Sequence, residues 1–200
     1  MTLLLTADNA PPIRFPAWVA PLNDDQFYDF CQLNPDTKFE RNADGTIITM
    51  SLTGGESGER NSEITLELGL WNRQARSGHV YDSSTGFKLP NGAVRSPDAA
   101  WVSNAVWDAL TPRQRKRYMP VCPEFVIELV SETDRLKGSA EKMEEYIENG
   151  CLLGWLIDPK TETARVYRPD GSISVVHGFD TVLSGDPVLP GFALNLSALR

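Results

Sequence analysis

The stretch Phe125–Ser131, FVIELVS, reads as a strand, and the fold follows from it. It is rich in β-branched, aromatic and aliphatic residues. In a strand alternate side chains share a face, so Val126, Glu128 and Val130 point one way and Phe125, Ile127 and Leu129 the other. Glu128 therefore falls on an apolar face. A buried carboxylate without a partner is costly, and it keeps its proton unless a cation or a set of donors stabilises the anion. The strand by itself leaves two readings open. Glu128 pairs with an arginine or faces water at an edge, or it is a carboxylate held in place for chemistry.

Upstream lies Ser96–Ser103, SPDAAWVS, a second strand over 98–103 in which Asp98, Ala100 and Val102 share a face. Asp98 either caps a turn or supplies a second acid. Two carboxylates on neighbouring strands can bind one hard cation such as Mg²⁺, which uses one or two carboxylates and keeps several waters. Downstream, Asp134 precedes a helical stretch that stops at Asn149-Gly150. Its apolar stripe is Leu136, Ala140, Met143 and Ile147. Lys142 lies roughly 120° from the centre of that stripe, with Tyr146 one turn on. Periodicity favours a solvent lysine paired with Glu145, and only its company with the two acids suggests another role.

The remaining segments are read as alternating strands and helices. Residues 1–21, with Pro11, Pro12, Pro16 and Pro21, read as an extended arm, and 22–200 as a single domain. Asn23 or Asp24 caps a helix through Leu33. Lys38–Arg41 and Thr46–Ser51 form a hairpin around Ala43-Asp44-Gly45. TGGESG, Thr53–Gly58, reads as a flexible loop before a helix over about Arg60–Arg76. Strands follow at 79–83 and 86–89, with a turn at Asn91-Gly92, then short helices at 104–110 and 111–118. The C-terminal part carries strands at 152–158, 164–167, 172–176 and 181–183. A strand-rich chain with one long helix early and one late is a mixed α/β or α+β layer.

Composition narrows the function classes. Nineteen basic and 27 acidic residues give a net charge of −8, which argues against indiscriminate coating of nucleic acid and against membrane-surface binding. No apolar run approaches the roughly 18 residues of a membrane span, and the first residues lack the basic start of a secretory signal. Three widely spaced cysteines (Cys31, Cys122, Cys151) without a C-x-x-C suggest neither a disulfide framework nor a zinc site, and fit a reducing cytoplasm. Two histidines, His79 and His177, build no histidine metal set. Arg113, Arg115, Lys116 and Arg117, in TPRQRKRY, are the one dense basic run. It either contacts phosphates or is a solvated helix end. Arg95 reaches a cleft beside Asp98 or forms an ion pair. Trp71, Trp101 and Trp155 sit in apolar patterns and read as core.

From about Met50 to Leu199 the chain resembles the Uma-type family of restriction-endonuclease-like proteins. The segments that carry the resemblance are TGGESGERN, TGFKLPNGAVRSPDAAWVS, CPEFVIELVSETDRL, EKMEEYIENGCLLGWLIDP and VLPGFALNLS. It implies the PD-(D/E)xK nuclease fold, a central mixed β-sheet flanked by helices, here with extra N- and C-terminal strands. Asp98 matches the first acid of that motif and Glu128 the second. Val130 stands where the lysine is expected, and the resemblance assigns the lysine's role to Lys142 on the following helix. It further implies a helix or loop acid, for which Glu56 is the first candidate and Glu63 the second.

The expected function is therefore a Mg²⁺- or Mn²⁺-dependent endodeoxyribonuclease, an ester hydrolase acting on DNA, with Asp98 and Glu128 as metal ligands. The alternative is an inert module of the same fold that binds nucleic acid or a protein. A homodimer is expected, because duplex cleavage needs two cuts and two-fold pairs are the commonest oligomers.

Overall fold

The computed structural model describes residues 22–50, 52–131 and 136–200. The expected N-terminal arm and the expected helix start at Asp134 lie outside the described residues. In chain order the elements are α1 (Asp24–Leu33), β1 (Lys38–Arg41), β2 (Ile47–Met50), α2 (Gly55–Ala75), β3 (Gly78–Asp82), β4 (Phe87–Lys88), β5 (Val94–Arg95), β6 (Ala99–Ser103), α3 (Asn104–Asp108) and α4 (Pro112–Arg115). There follow β7 (Phe125–Leu129), α5 (Leu136–Glu148), β8 (Leu153–Asp158), β9 (Thr163–Tyr167), β10 (Ile173–His177), β11 (Val182–Ser184), β12 (Ala193–Asn195) and a 3₁₀ turn over Leu196–Leu199.

The FVIELVS strand lies inside a six-stranded sheet ordered β10-β9-β8-β7-β6-β3. Only β7 and β8 run parallel, joined by α5 as the crossover; the other pairs are antiparallel, so the sheet is mixed. All five residues of β7 are buried, as expected for a central strand with both faces covered. On one face Phe125, Ile127 and Leu129 pack with Trp155 and with Ile64 and Leu68 of α2. On the other, Val126 packs with Ala100, Val102, Leu156 and, from α5, Met143 and Tyr146. The alternation read from the sequence thus sorts the two cores, and Glu128 belongs to the α5 side.

The smaller sheet, β2-β1-β5-β4, continues the expected hairpin. Arg41 pairs with Val94, which brings β1 beside the segment that leads to Asp98.

Several expectations need correction. Thr53–Gly58 is not a loop throughout, because α2 begins at Gly55. Gly54 occupies the N-cap, where glycine is tolerated, and Glu56 sits in the first turn, where an acid suits the helix dipole. The turn is carried by the burial of Ile64 and Leu68 farther along and by Arg60 Nε donating to Leu199 O at 2.8 Å. The helix expected over 111–118 is limited to Pro112–Arg115. β5, β12 and the 3₁₀ turn were not foreseen, since two to four residues carry no readable period. The end of α5 agrees with expectation: the helix stops at Glu148 and Gly150 takes φ = 103°.

Candidate active site

The β6–β7 register pairs Ala99 with Ile127 and Ala100 with Val126. One step farther, the same register sets Asp98 opposite Glu128. Asp98 is held from two sides: its Oδ2 accepts from Leu129 N at 2.8 Å and its Oδ1 from Asn61 Nδ2 of α2 at 3.1 Å. The two acids singled out by strand alternation therefore meet on one face, at the mouth of a cleft of about 670 Å³. Thr53, Gly54 and Glu56 at the start of α2 line another wall.

Lys142 reaches this cleft. Its Nζ lies 2.8 Å from Glu128 Oε1 and 2.9 Å from Glu40 Oε1, with the lysine side chain only 17% exposed. The solvent lysine favoured by periodicity is thus corrected. The α5 stripe drawn through Ile147 was mis-centred: Met143 and Tyr146 are fully buried, whereas Ile147 is only partly so. Centring the stripe on Tyr146 turns Lys142, one turn before it, toward the sheet. The Tyr146 hydroxyl donates to Glu128 Oε1 at 3.1 Å.

Glu40, on β1, was missed by sequence reasoning. It is 5% exposed, accepts from Ser96 N at 2.8 Å and lies 3.5 Å from Arg95 Nη1. The available signal was a pair of charges, Glu40 and Arg41, inside a short strand of a hairpin. Arg95 is an ion-pair residue: besides Glu40, it bonds Glu145 Oε2 at 2.6 Å and Asn42 Oδ1 at 2.8 Å. It does not line the cleft. Glu145, expected to pair with Lys142, pairs with Arg95.

Burial pushes the Glu128 carboxyl up to about 8; Lys142 pulls it down, while Asp98 and Glu40 push it further up. For Lys142, burial alone would lower the ammonium's proton affinity, but the carboxylates of Glu128 and Glu40 outweigh burial and raise it. The cluster is rich in oxygen donors and short of positive charge.

Among the described residues no three or more His, Cys, Asp or Glu side chains are grouped as a metal-binding set. Glu40, Asp98 and Glu128 all line the cleft; Lys142 stands between Glu40 and Glu128, and Asp98 and Glu128, opposite each other on neighbouring strands, form the carboxylate pair considered for a cation. Such a pair fits a hard cation that keeps its waters. Asn61 adds to the fit: its Oδ1 is buried without a hydrogen-bond partner among the described residues, beside Asp98. An acceptor left over next to an acid is the kind of atom that a cation or its bound water satisfies.

Of the remaining candidates, Glu56 lines the cleft but is exposed and pairs with Arg60 at 3.4 Å. Glu63 does not line it. Neither does the basic run. Arg113 and Arg117 pair with Asp25 at 3.0 and 2.6 Å, Arg117 stacks on Tyr28, and Arg115 stacks on Trp107; Lys116 is exposed. Trp155 is fully buried and Trp101 nearly so, and Trp71 packs against the same core, as expected. No helix among the described residues is long and apolar enough to cross a membrane.

Comparison with known proteins agrees with this architecture. A crystal structure described as a putative nuclease of DUF820 from Anabaena variabilis ATCC 29413 superposes with a TM-score of 0.73. It covers 90% of this chain and 97% of that one at 20% identity, a likeness of fold. No curated protein matches the chain. The family described as Uma2, putative restriction endonuclease, matches residues 24–197, nearly the whole length, and the chain belongs to that family.

Proposed function

We propose that this chain is a divalent-metal-dependent endonuclease that hydrolyses phosphodiester bonds in DNA at the cleft between Asp98, Glu128 and Lys142. The observation that carries the reading is the meeting of these three side chains from β6, β7 and α5, with Glu128 buried and bonded to Lys142 at 2.8 Å. Membership of the Uma2 family supports a nuclease in general terms. The metal is inferred from the carboxylate pair of the cleft, and DNA as the substrate from the resemblance to restriction-endonuclease-like proteins.

Asp98 and Glu128 would hold Mg²⁺ or Mn²⁺. The ion, when bound, polarises a phosphoryl oxygen and lowers the pKa of a water. The chain's own residues supply the rest. Leu129 N–H and Asn61 Nδ2 fix the Asp98 carboxylate, and the Tyr146 hydroxyl fixes one oxygen of Glu128. Lys142 offsets the repulsion between the carboxylates and presents N–H donors to negative charge that develops on the phosphate. Glu40 holds the ammonium from its other side, itself anchored by Ser96 N–H and Arg95.

The test is cleavage of supercoiled plasmid in Mn²⁺ by the wild type and Asp98→Asn. The variant is expected to lose at least about a hundredfold in rate. Undiminished cleavage by the variant would overturn the assignment. Metal binding by a wild type that never cuts would favour the inert module, for which Val130 in place of the usual strand lysine speaks.

A further inference from the structure

A second groove, of about 590 Å³, runs along the outer side of α2 and meets the first at Asn61 and Asp98. Glu59, Ser62, Leu66, Leu70 and Arg73 are all exposed, and their three- and four-residue spacing places them on one stripe of the helix. Leu66 is 53% and Leu70 39% exposed. Fraying does not explain these leucines. The inner side of α2 is filled by Ile64 and Leu68, and Trp71 packs on Trp101 and Phe192 and donates to Pro190 O at 3.1 Å. The helix is fixed, and among the described residues its outer stripe has nothing to bury against.

The order of residues along the stripe is self-complementary. Glu59 lies two turns before Leu66 and Arg73 two turns after it; Ser62 and Leu70 lie one turn to either side. A two-fold axis through Leu66 would set Leu66 against Leu66 of a second copy, Leu70 against the small Ser62, and Arg73 against Glu59. Neither Glu59 nor Arg73 forms an ion pair among the described residues. Cβ atoms added at Gly58 or Gly69, which line the groove, would meet nothing within 4 Å, so a second helix has room to approach.

We propose that α2 is the contact of a homodimer, packed antiparallel against α2 of a second copy of this chain. A C₂ contact requires a surface that complements itself, and this stripe does so in shape and in charge. Nucleic acid suits the groove less well. Arg73 is the one basic residue among its lining, while Asp82 lines it and Glu59, Glu63 and Glu67 share the helix. That balance repels phosphates. The contact spans about 21 Å of helix, so the dimer is expected to be reversible and concentration-dependent rather than obligate.

The test is sedimentation velocity on the full chain from about 1 to about 100 μM, which reads mass and is independent of nuclease activity. The wild type is expected to move from monomer to dimer. Arg73→Glu and, as a second disruption, Leu66→Lys are expected to stay monomeric with unchanged circular dichroism, and the charge swap Glu59→Arg with Arg73→Glu to restore the dimer. A wild type monomeric throughout would overturn the proposal. So would a dimer indifferent to Arg73→Glu, or one lost only on Val175→Lys in the edge strand β10. A monomer whose α2 stripe is protected by a DNA oligonucleotide would give the groove to substrate instead.

Discussion

Around Lys142, the side chains of Glu40, Glu128 and Arg95 are about nine-tenths buried and tied together at 2.8–3.5 Å. Around Arg117, the acids are Asp25 and Asp29, 60% and 65% exposed, and the partners reach similar distances, 2.6–3.6 Å. On the sequence the second group is the more conspicuous, four basic residues within five positions. Separation alone does not distinguish the two groups; solvent does. An ion pair in water gives up little when broken, whereas one removed from water leaves an uncompensated charge. Function is therefore expected where the chain holds charges out of water beside a cleft.

The largest difference should come from removing one cation from each group. Lys142→Met removes the ammonium held between Glu128 and Glu40, leaving Glu128 with the Tyr146 hydroxyl and Glu40 with Ser96 N–H and the more distant Arg95, and urea unfolding should register a loss of about 3–5 kcal/mol. A loss under about 1 kcal/mol would mean that water enters the Lys142 group and that the contrast fails.

The pH dependence of the metal-free protein should separate the groups next. With its carboxyl pushed up to about 8, folded Glu128 keeps a proton that the unfolded chain has already released. The folded state then binds more protons, so stability falls as pH rises from the ordinary carboxylate range to about 8 and is flat above it. Thermal unfolding should show this decline in the wild type and a shallower one in Glu128→Gln. Identical slopes would place Glu128 in contact with solvent.

The smallest effect belongs to the exposed group. Arg117→Ala should cost no more than about 1 kcal/mol and leave plasmid cleavage within about twofold. A large loss of cleavage with stability intact would return the basic run to the substrate side.

The two acids were legible because strand alternation has a fixed period: FVIELVS places Glu128 with Val126, and SPDAAWVS places Asp98 with Ala100. That both belong to one face of one sheet depends on register, which needs the β6–β7 pairing. Lys142 was harder, because a helical stripe must be centred before an angle means anything. Tyr146, amphipathic and so ambiguous, is the residue that centres it. Glu40 was not legible as a site residue. It arrives from a separate small sheet, through the single β1–β5 contact at Arg41 and Val94, and local pattern does not encode such long-range meetings. The start of α2 was hidden by its glycines, whose low propensity is overridden by burial a turn or two farther on.

Anomalous scattering from a crystal soaked in Mn²⁺ tests the central claim most directly. A peak bounded by the carboxylates of Asp98 and Glu128, with Lys142 beside it and absent from Asp98→Asn crystals, is the expected result. A peak elsewhere, or none in a protein that still cleaves DNA, would contradict it.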